Sequence, residues 1–360
     1  MDSPGAKHSR AVVRSGGNLA RRYAAFVRVR VAILALLALV LVVAFLFDVF
    51  TGPAALSPIT VFNGLLQPDS LPGPVRYILF NVRLPYAVMA VLVGASLGLA
   101  GAEMQTVLNN ALASPFTLGV SAAATLGASL VLIFGLPSTG LPQEVVMPAS
   151  AFVFAAMAAM LIHVLAQTRT NGADSVVLFG IALVFAINSI VALLQFVADA
   201  DTLQQIVFWG MGSFSRSTWP KIAIVAAVLL VALPISLRNV WKLTALRAGD
   251  AQAESLGIDT SRLRRNVMLR ASLLAAVAVS FVGTIGFVGL VGPHIARLLL
   301  GEDHRFFLPG AALAGALILS LASVASKTII PGLIIPVGIV TSIVGVPLFL
   351  SLLMTRDRRA

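Results

Sequence analysis

Long apolar runs alternate with short polar breaks along almost the whole chain. A helix crosses a bilayer with about 20 apolar residues rising 1.5 Å each. By that measure the pattern predicts ten transmembrane helices, at 31–49, 84–105, 115–136, 146–167, 176–198, 221–238, 267–284, 286–301, 307–327 and 335–354. The seventh and eighth are an ambiguous pair, because 271–300 also reads as one long helix broken at Gly283, Gly286, Gly289, Gly292 and Pro293. Small residues crowd the second span (Gly94, Ala95, Ser96, Gly98, Ala100, Gly101, Ala102). They let neighbouring helices approach closely, which predicts a place in the middle of a bundle.

One polar island interrupts this pattern. From Arg238 to Arg270 lie seven basic residues (Arg238, Lys242, Arg247, Arg262, Arg264, Arg265, Arg270) and three acidic ones (Asp250, Glu254, Asp259). Each charge at the bilayer centre costs roughly 2.5–3.5 kcal/mol on the insertion scale, so the island stays outside the membrane. Asp250 is placed to cap a short helix over 251–256, and Gly257 to end it in the left-handed conformation. Thr260 or Ser261 then caps a second helix running into the next apolar run. Helix, glycine turn and helix suggest a docking surface; a solvated loop held by its arginines is the competing reading, and pattern alone leaves both open.

Two other polar segments exceed simple connectors. Residues 51–82 are proline-rich, and 198–220 hold Trp209 and Trp219 around Gly210 to Ser213, which suits a short interfacial helix with the tryptophans in an aromatic belt. Residues 1–30 carry seven basic side chains and one acidic one, and read as a disordered cytoplasmic tail ahead of a membrane domain over 31–360. An Arg-rich presequence is the lesser alternative.

Composition agrees with the pattern. The 360 residues are 59% hydrophobic and 11% charged, with a mean hydropathy of +0.98; soluble domains carry about 25% charged residues. The reading is an all-α polytopic membrane protein. The net charge of +11 does not point to nucleic acid, because no basic stripe is interleaved with aromatics. With ten spans, 20 of the 25 Lys and Arg fall on one side, which predicts that both termini are cytoplasmic. The absence of cysteine excludes disulfides, thiolate metal sites and thiol nucleophiles.

Candidate chemistry is sparse. Ser326-Lys327-Thr328 lacks the glycine context of a phosphate-binding loop, so the chain is not expected to bind ATP. His8, His163, His294 and His304 have no ligand-type spacing, and no metal site or catalytic constellation is predicted. His294, following Pro293, reads as lying at a helix start. Glu103 is the acidic residue deepest inside a proposed span and, with Gln105, is a candidate for a translocation path. A carboxylate near the helix end bonded to Gln105 or Asn109 is the plainer alternative. The polar break 109–115 cannot face lipid and belongs against protein or a water-filled path. Gly101 to Gly119 and Gly283 to Gly301 echo one another in opposite directions, as inverted repeats do.

Taken in order, several motifs resemble the permease subunits of the FecCD type, the ABC importers of ferric siderophores, haem and cobalamin. They are Arg83-Leu84-Pro85, Gly101 to Gln105, Asn110 to Gly119, Trp209 to Ser213 and Glu254 to Gly257. Gly286 to Leu290, Pro293 to Arg297, Pro336 to Gly338 and Gly345 to Pro347 complete the set. The resemblance runs from Arg83 nearly to the C-terminus.

It implies a ten-helix permease of a bacterial or archaeal inner membrane, paired as a homodimer with a second permease copy. Its implied partners are two cytoplasmic ATPase subunits, which bind ATP and Mg so that this chain needs no cofactor, and a periplasmic or surface substrate-binding protein. The implied cargo is a metal chelate. The segment 239–266 becomes the ATPase-coupling segment, through Asp250, Ala253, Glu254, Leu256, Gly257, Arg262, Arg264 and Arg265. Asn110 and Leu112, with Ala173 and Asp174, become the cytoplasmic gate, and Arg83 and Lys327 the contacts for the binding protein. Five positions depart from the family pattern: Ala111 replaces a proline in the break, Tyr86 an arginine, Ser323 an aspartate, Lys327 an arginine and Glu103 an uncharged residue. The rival expectation is a proton-coupled secondary transporter using Glu103.

Overall fold

The computed structural model describes residues 4–54, 56–135, 142–168 and 173–356, and every regular element among them is helical. After α1 (Pro4–Phe50), the proline-rich segment folds into α2 (Pro58–Leu66) and α3 (Gly73–Tyr77), and a π turn over Ile78–Arg83 leads into α4 (Leu84–Val107). Next come α5 (Val120–Phe134), α6 (Gln143–Thr168) and α7 (Ala173–Val197), then the connector α8 (Ala200–Gly210) and α9 (Trp219–Arg238). The island forms α10 (Val240–Arg247), α11 (Asp250–Ser255) and the start of α12 (Thr260–Val282); α13 (Val288–Leu300), α14 (His304–Thr328) and α15 (Val337–Arg356) follow.

Among the described residues, seven helical stretches are long and apolar enough to cross a membrane, and α5, α13 and 337–350 are shorter apolar helices. The thirteen residues of α13 rise about 20 Å, well short of a bilayer core of about 30 Å. The ambiguous pair is two helices. Gly283 ends α12 at φ +81, where side chains are strained, and a Cβ there would also collide with the Trp209 carbonyl oxygen.

The small residues of the second span do what their size permits. Gly94 and Gly98 on α4 lie against the backbone of Gly315 and Ala311 on α14, and Gly101 against Gly289 on α13. Backbone meets backbone, and α4 is buried along nearly its whole length. Two apolar clusters flank it. One gathers Met89, Val93, Trp209, Phe214 and Leu319. The other gathers Leu99, Met104 and Phe307 with Leu243, Leu246, Ala253 and Leu263 of the island. The island is therefore a folded unit rooted in the core, not a solvated loop.

Several local expectations are corrected. Residues 4–30 are helical, not disordered, and the part of α1 around residues 23–30 finds partners on the facing ends of α13 and α14. Arg30 Nε donates to the Leu300 carbonyl (2.8 Å), and Arg305 donates to the Tyr23 hydroxyl (2.8 Å). Asp259 caps α12 by accepting from the Arg262 N–H (2.8 Å), in place of Thr260 or Ser261. Gly249 occupies the cap position of α11, leaving Asp250 free to pair with Arg264 (2.6 Å), while Gly257 takes the expected left-handed turn at φ +77. Trp209 is 1% exposed and belongs to the core, unlike the exposed Trp219, whose indole N–H donates to the Phe80 carbonyl (3.0 Å). His294 lies inside α13, not at its start.

Candidate functional site: a folded island joined to a polar break

The island presents a small surface of mixed character. Leu256, 54% exposed, sits on its tip among the exposed Asp250, Glu254, Arg262 and Arg265. Arg264 is half-buried and held by Asp250, and Glu254 accepts from the Thr260 hydroxyl (2.9 Å). Ala253 is fully buried, so it anchors α11 from beneath and presents nothing outward. A cleft of about 470 Å³ beside the tip is lined by Trp241, Lys242, Leu256, Arg262 and Arg270. An exposed leucine rimmed by charges, on a rigid base, is chemistry suited to a protein partner.

The polar break follows α4 directly. Asn109 adopts φ +45, a conformation asparagine tolerates better than other side chains. Asn110 Oδ1 accepts from the Leu112 N–H (2.8 Å), and Ser114 exchanges hydrogen bonds with Thr117 (2.9 Å and 3.2 Å). These side-chain bonds hold the turn where the family pattern has proline at position 111. Leu112 is exposed, and Phe116 stacks on Phe287 with ring centroids 6.4 Å apart. The other expected gate residues, Ala173 and Asp174, open α7, but their side chains lie outside the described residues.

Island and break are joined. Arg247, the last residue of α10, donates to both oxygens of Glu302 (2.9 Å and 3.3 Å) and to Asn109 Oδ1. Glu302 also pairs with Arg297 (3.2 Å), which donates to Gln105 Oε1 (3.0 Å). The Arg247 hydrogen bond holds the Glu302 carboxyl below its usual range. A second bridge runs through His304, whose ring lies 2.9 Å from the Thr106 hydroxyl and 3.1 Å from that of Thr244. Sequence reasoning passed over Arg247 and Glu302 as site residues. The dense polar run Glu302-Asp303-His304-Arg305 between two apolar helices was the signal available.

Glu103 is fully buried, and Arg270 donates to it through Nε (3.0 Å and 3.1 Å) and Nη2. Its partner is this arginine of α12, not Gln105 or Asn109. Gln105, one turn from the break, donates to the Gly289 carbonyl (3.4 Å). A carboxylate sealed from solvent and clamped by a guanidinium is arranged as a structural rivet between α4 and α12, not as a proton carrier.

At the opposite end of α4, Arg83 and Lys327 are both buried. Arg83 donates to the carbonyls of Phe50 (2.9 Å), Val49 (3.3 Å) and Ala54 (2.5 Å), satisfying groups left open where α1 ends. Lys327 pairs with Asp48 of α1 (2.8 Å) and lies 4.3 Å from the centre of the Tyr86 ring. Ser323 donates to the same carboxylate (2.7 Å). Both cationic heads are committed inside the chain, so neither offers a free charge to a docking partner. Three of the five departures from the family pattern gather here: Ser323 and Lys327 bond to Asp48, and the Tyr86 ring faces Lys327.

Comparison with known proteins places this geometry. A profile of the FecCD transport family matches residues 40–355. A ferric citrate import system permease protein of Bacillus subtilis is 36% identical, with 90% of this chain and 95% of that one aligned. A hemin transport system permease protein of Yersinia pestis is 32% identical over 91% of this chain and 97% of its own. Among solved structures, a protein described as a metal-chelate type ABC transporter in an inward-facing conformation superposes with a TM-score of 0.78 at 30% identity, covering 90% of this chain and 99% of its own. A central small-residue helix, a polar break at its end and a folded basic island thus sit in a chain that belongs to the FecCD transport family.

Proposed function

We propose that the chain is the membrane-spanning subunit of an ATP-driven importer that moves an iron-siderophore, haem or cobalamin-type chelate into the cytoplasm. It works as two permease copies in the cytoplasmic (inner) membrane, with two ATPase subunits beneath and a binding protein outside. The chain itself catalyses nothing. It supplies a path and a handle.

The observation that carries this reading is the island. It is rooted in the core through Leu243, Leu246 and Ala253, presents Leu256 outward, and is hydrogen-bonded to the break at Asn109. A subunit gripping Asp250, Glu254, Leu256, Gly257, Arg262, Arg264 and Arg265 therefore has a mechanical route to Asn110 and Leu112. Alternating access follows if nucleotide binding in the partner biases two packings of that route. Ala253 supports the grip from within. Arg83 and Lys327 shape the outer docking face by fixing the end of α1 instead of touching the binding protein. The buried Glu103–Arg270 pair counts against a proton-coupled carrier.

The test is reconstitution with the companion ATPase and binding protein in vesicles, followed by uptake of labelled ferric chelate, haem and cobalamin. The reading expects uptake of one of these only with ATP and both companions present. Uptake by the purified chain alone, driven by a proton gradient, refutes it.

A further inference from the structure

Resting on that reading, we propose that Arg247 is the positioning residue through which movement of the island reaches the polar break, with Glu302 as its releasable anchor. Arg247 stands where α10 hands over to α11, at the joint of the island. Its one guanidinium binds two other elements: both carboxylate oxygens of Glu302 on the α13–α14 turn, and the side chain of Asn109 at the start of the break. Asn109 holds a left-handed backbone and directly precedes Asn110, whose side chain closes the turn to Leu112. A displacement of α10 therefore pulls on the first residue of the break.

Burial decides which contacts release and which persist. The Arg247 and Glu302 side chains are 30% and 45% exposed, so their pair can open into water without stranding a charge. Arg270 and Glu103 are 8% and 0% exposed, and opening that pair would leave both ions buried. The Thr244–His304–Thr106 bridge carries no carboxylate and ties α10 to α4 and α14. Among the described residues, Arg247–Glu302 is the one ion pair between the island and the α13–α14 turn. It is the clasp whose opening lets α10 shift while the deeper pair holds α4 against α12.

The experiment uses the reconstituted full complex and reads chelate moved per ATP hydrolysed, with ATPase retention on the purified permease as the second readout. Arg247→Ala and Glu302→Gln each lower that ratio at least tenfold while the ATPase stays bound. Arg247→Lys falls between, because a lysine cannot hold both carboxylate oxygens and Asn109 together. The exchanged pair Arg247→Glu with Glu302→Arg restores an ion pair but not the bond to Asn109, so the ratio stays low, whereas a merely structural ion pair would be rescued by the exchange. Wild-type stoichiometry in both single variants overturns the proposal, as does full recovery in the exchanged pair. A wild-type complex lacking ATP-dependent uptake overturns the parent reading and this one with it. Loss of ATPase binding in Glu302→Gln also overturns it, by making the clasp a docking contact.

Discussion

Asp48 on α1 and Lys327 on α14 lie 2.8 Å apart with neither side chain reaching solvent, although 279 residues separate them along the chain. Ser323 and Tyr86 close the cluster, one by hydrogen bond and one by its ring face. The family pattern puts a carboxylate at position 323; here α1 supplies it at position 48, and a serine at 323 reaches across to it. Removing one partner strands the other ion. Asp48→Asn or Lys327→Met is expected to cost about 3–5 kcal/mol, whereas the two together recover most of the loss. Thermal unfolding in detergent checks this, and equal losses in the single and double variants would count against the pair.

Arg83 tests the same end of the molecule from a different direction. It serves carbonyls of the α1 terminus, so Arg83→Ala leaves buried acceptors unpaired at about 1–3 kcal/mol. Charge reversal there should lower the unfolding temperature. Weakened binding-protein affinity at unchanged stability would instead restore a direct docking contact.

The Glu103–Arg270 pair separates two classes of transporter. Glu103→Gln is expected to destabilise by about 3–5 kcal/mol through the stranded Arg270. Glu103→Leu with Arg270→Met removes both charges and should regain stability and ATP-driven uptake, with no sensitivity to a protonophore. A stable double variant that cannot transport would return Glu103 to the path as a working carboxylate.

Acid should loosen the island clasp in a defined direction. The Glu302 carboxyl is held low by Arg247, so the pair contributes fully above the unfolded value of about 4.3. Its contribution is lost as pH falls through the depressed folded value. The stability difference between wild type and Glu302→Gln should stay constant across neutral pH and close only below about pH 4. Both side chains are partly exposed and screened by water, so the difference is at most about 1 kcal/mol. A difference that closes near neutrality would contradict the assignment.

Helix order was legible because an apolar run of bilayer length is a local property, and glycine marks a break wherever it falls, as at Gly283. The island's turn at Gly257 and the small-residue face of α4 were legible for the same reason. Pairing across helices is not local. Nothing near Asp48 announces Lys327, and Arg270 was counted with the island although its guanidinium turns inward to Glu103. Arg83 and Lys327 looked like surface charges because a cation near a helix end reads alike whether it meets solvent or carbonyls. Trp209 looked interfacial because the apolar cluster it joins is built from residues such as Met89 on α4 and Leu319 on α14, far from it along the chain.

The central claim is that a separate ATPase grips the island on the cytoplasmic side, and single-site labelling addresses it most directly. The chain has no cysteine, so Leu256→Cys introduces one reactive thiol at the exposed tip. A membrane-impermeant maleimide should label it in inside-out vesicles only, and bound ATPase should protect it. Labelling from the outside, or equal labelling with and without the ATPase, would contradict the account.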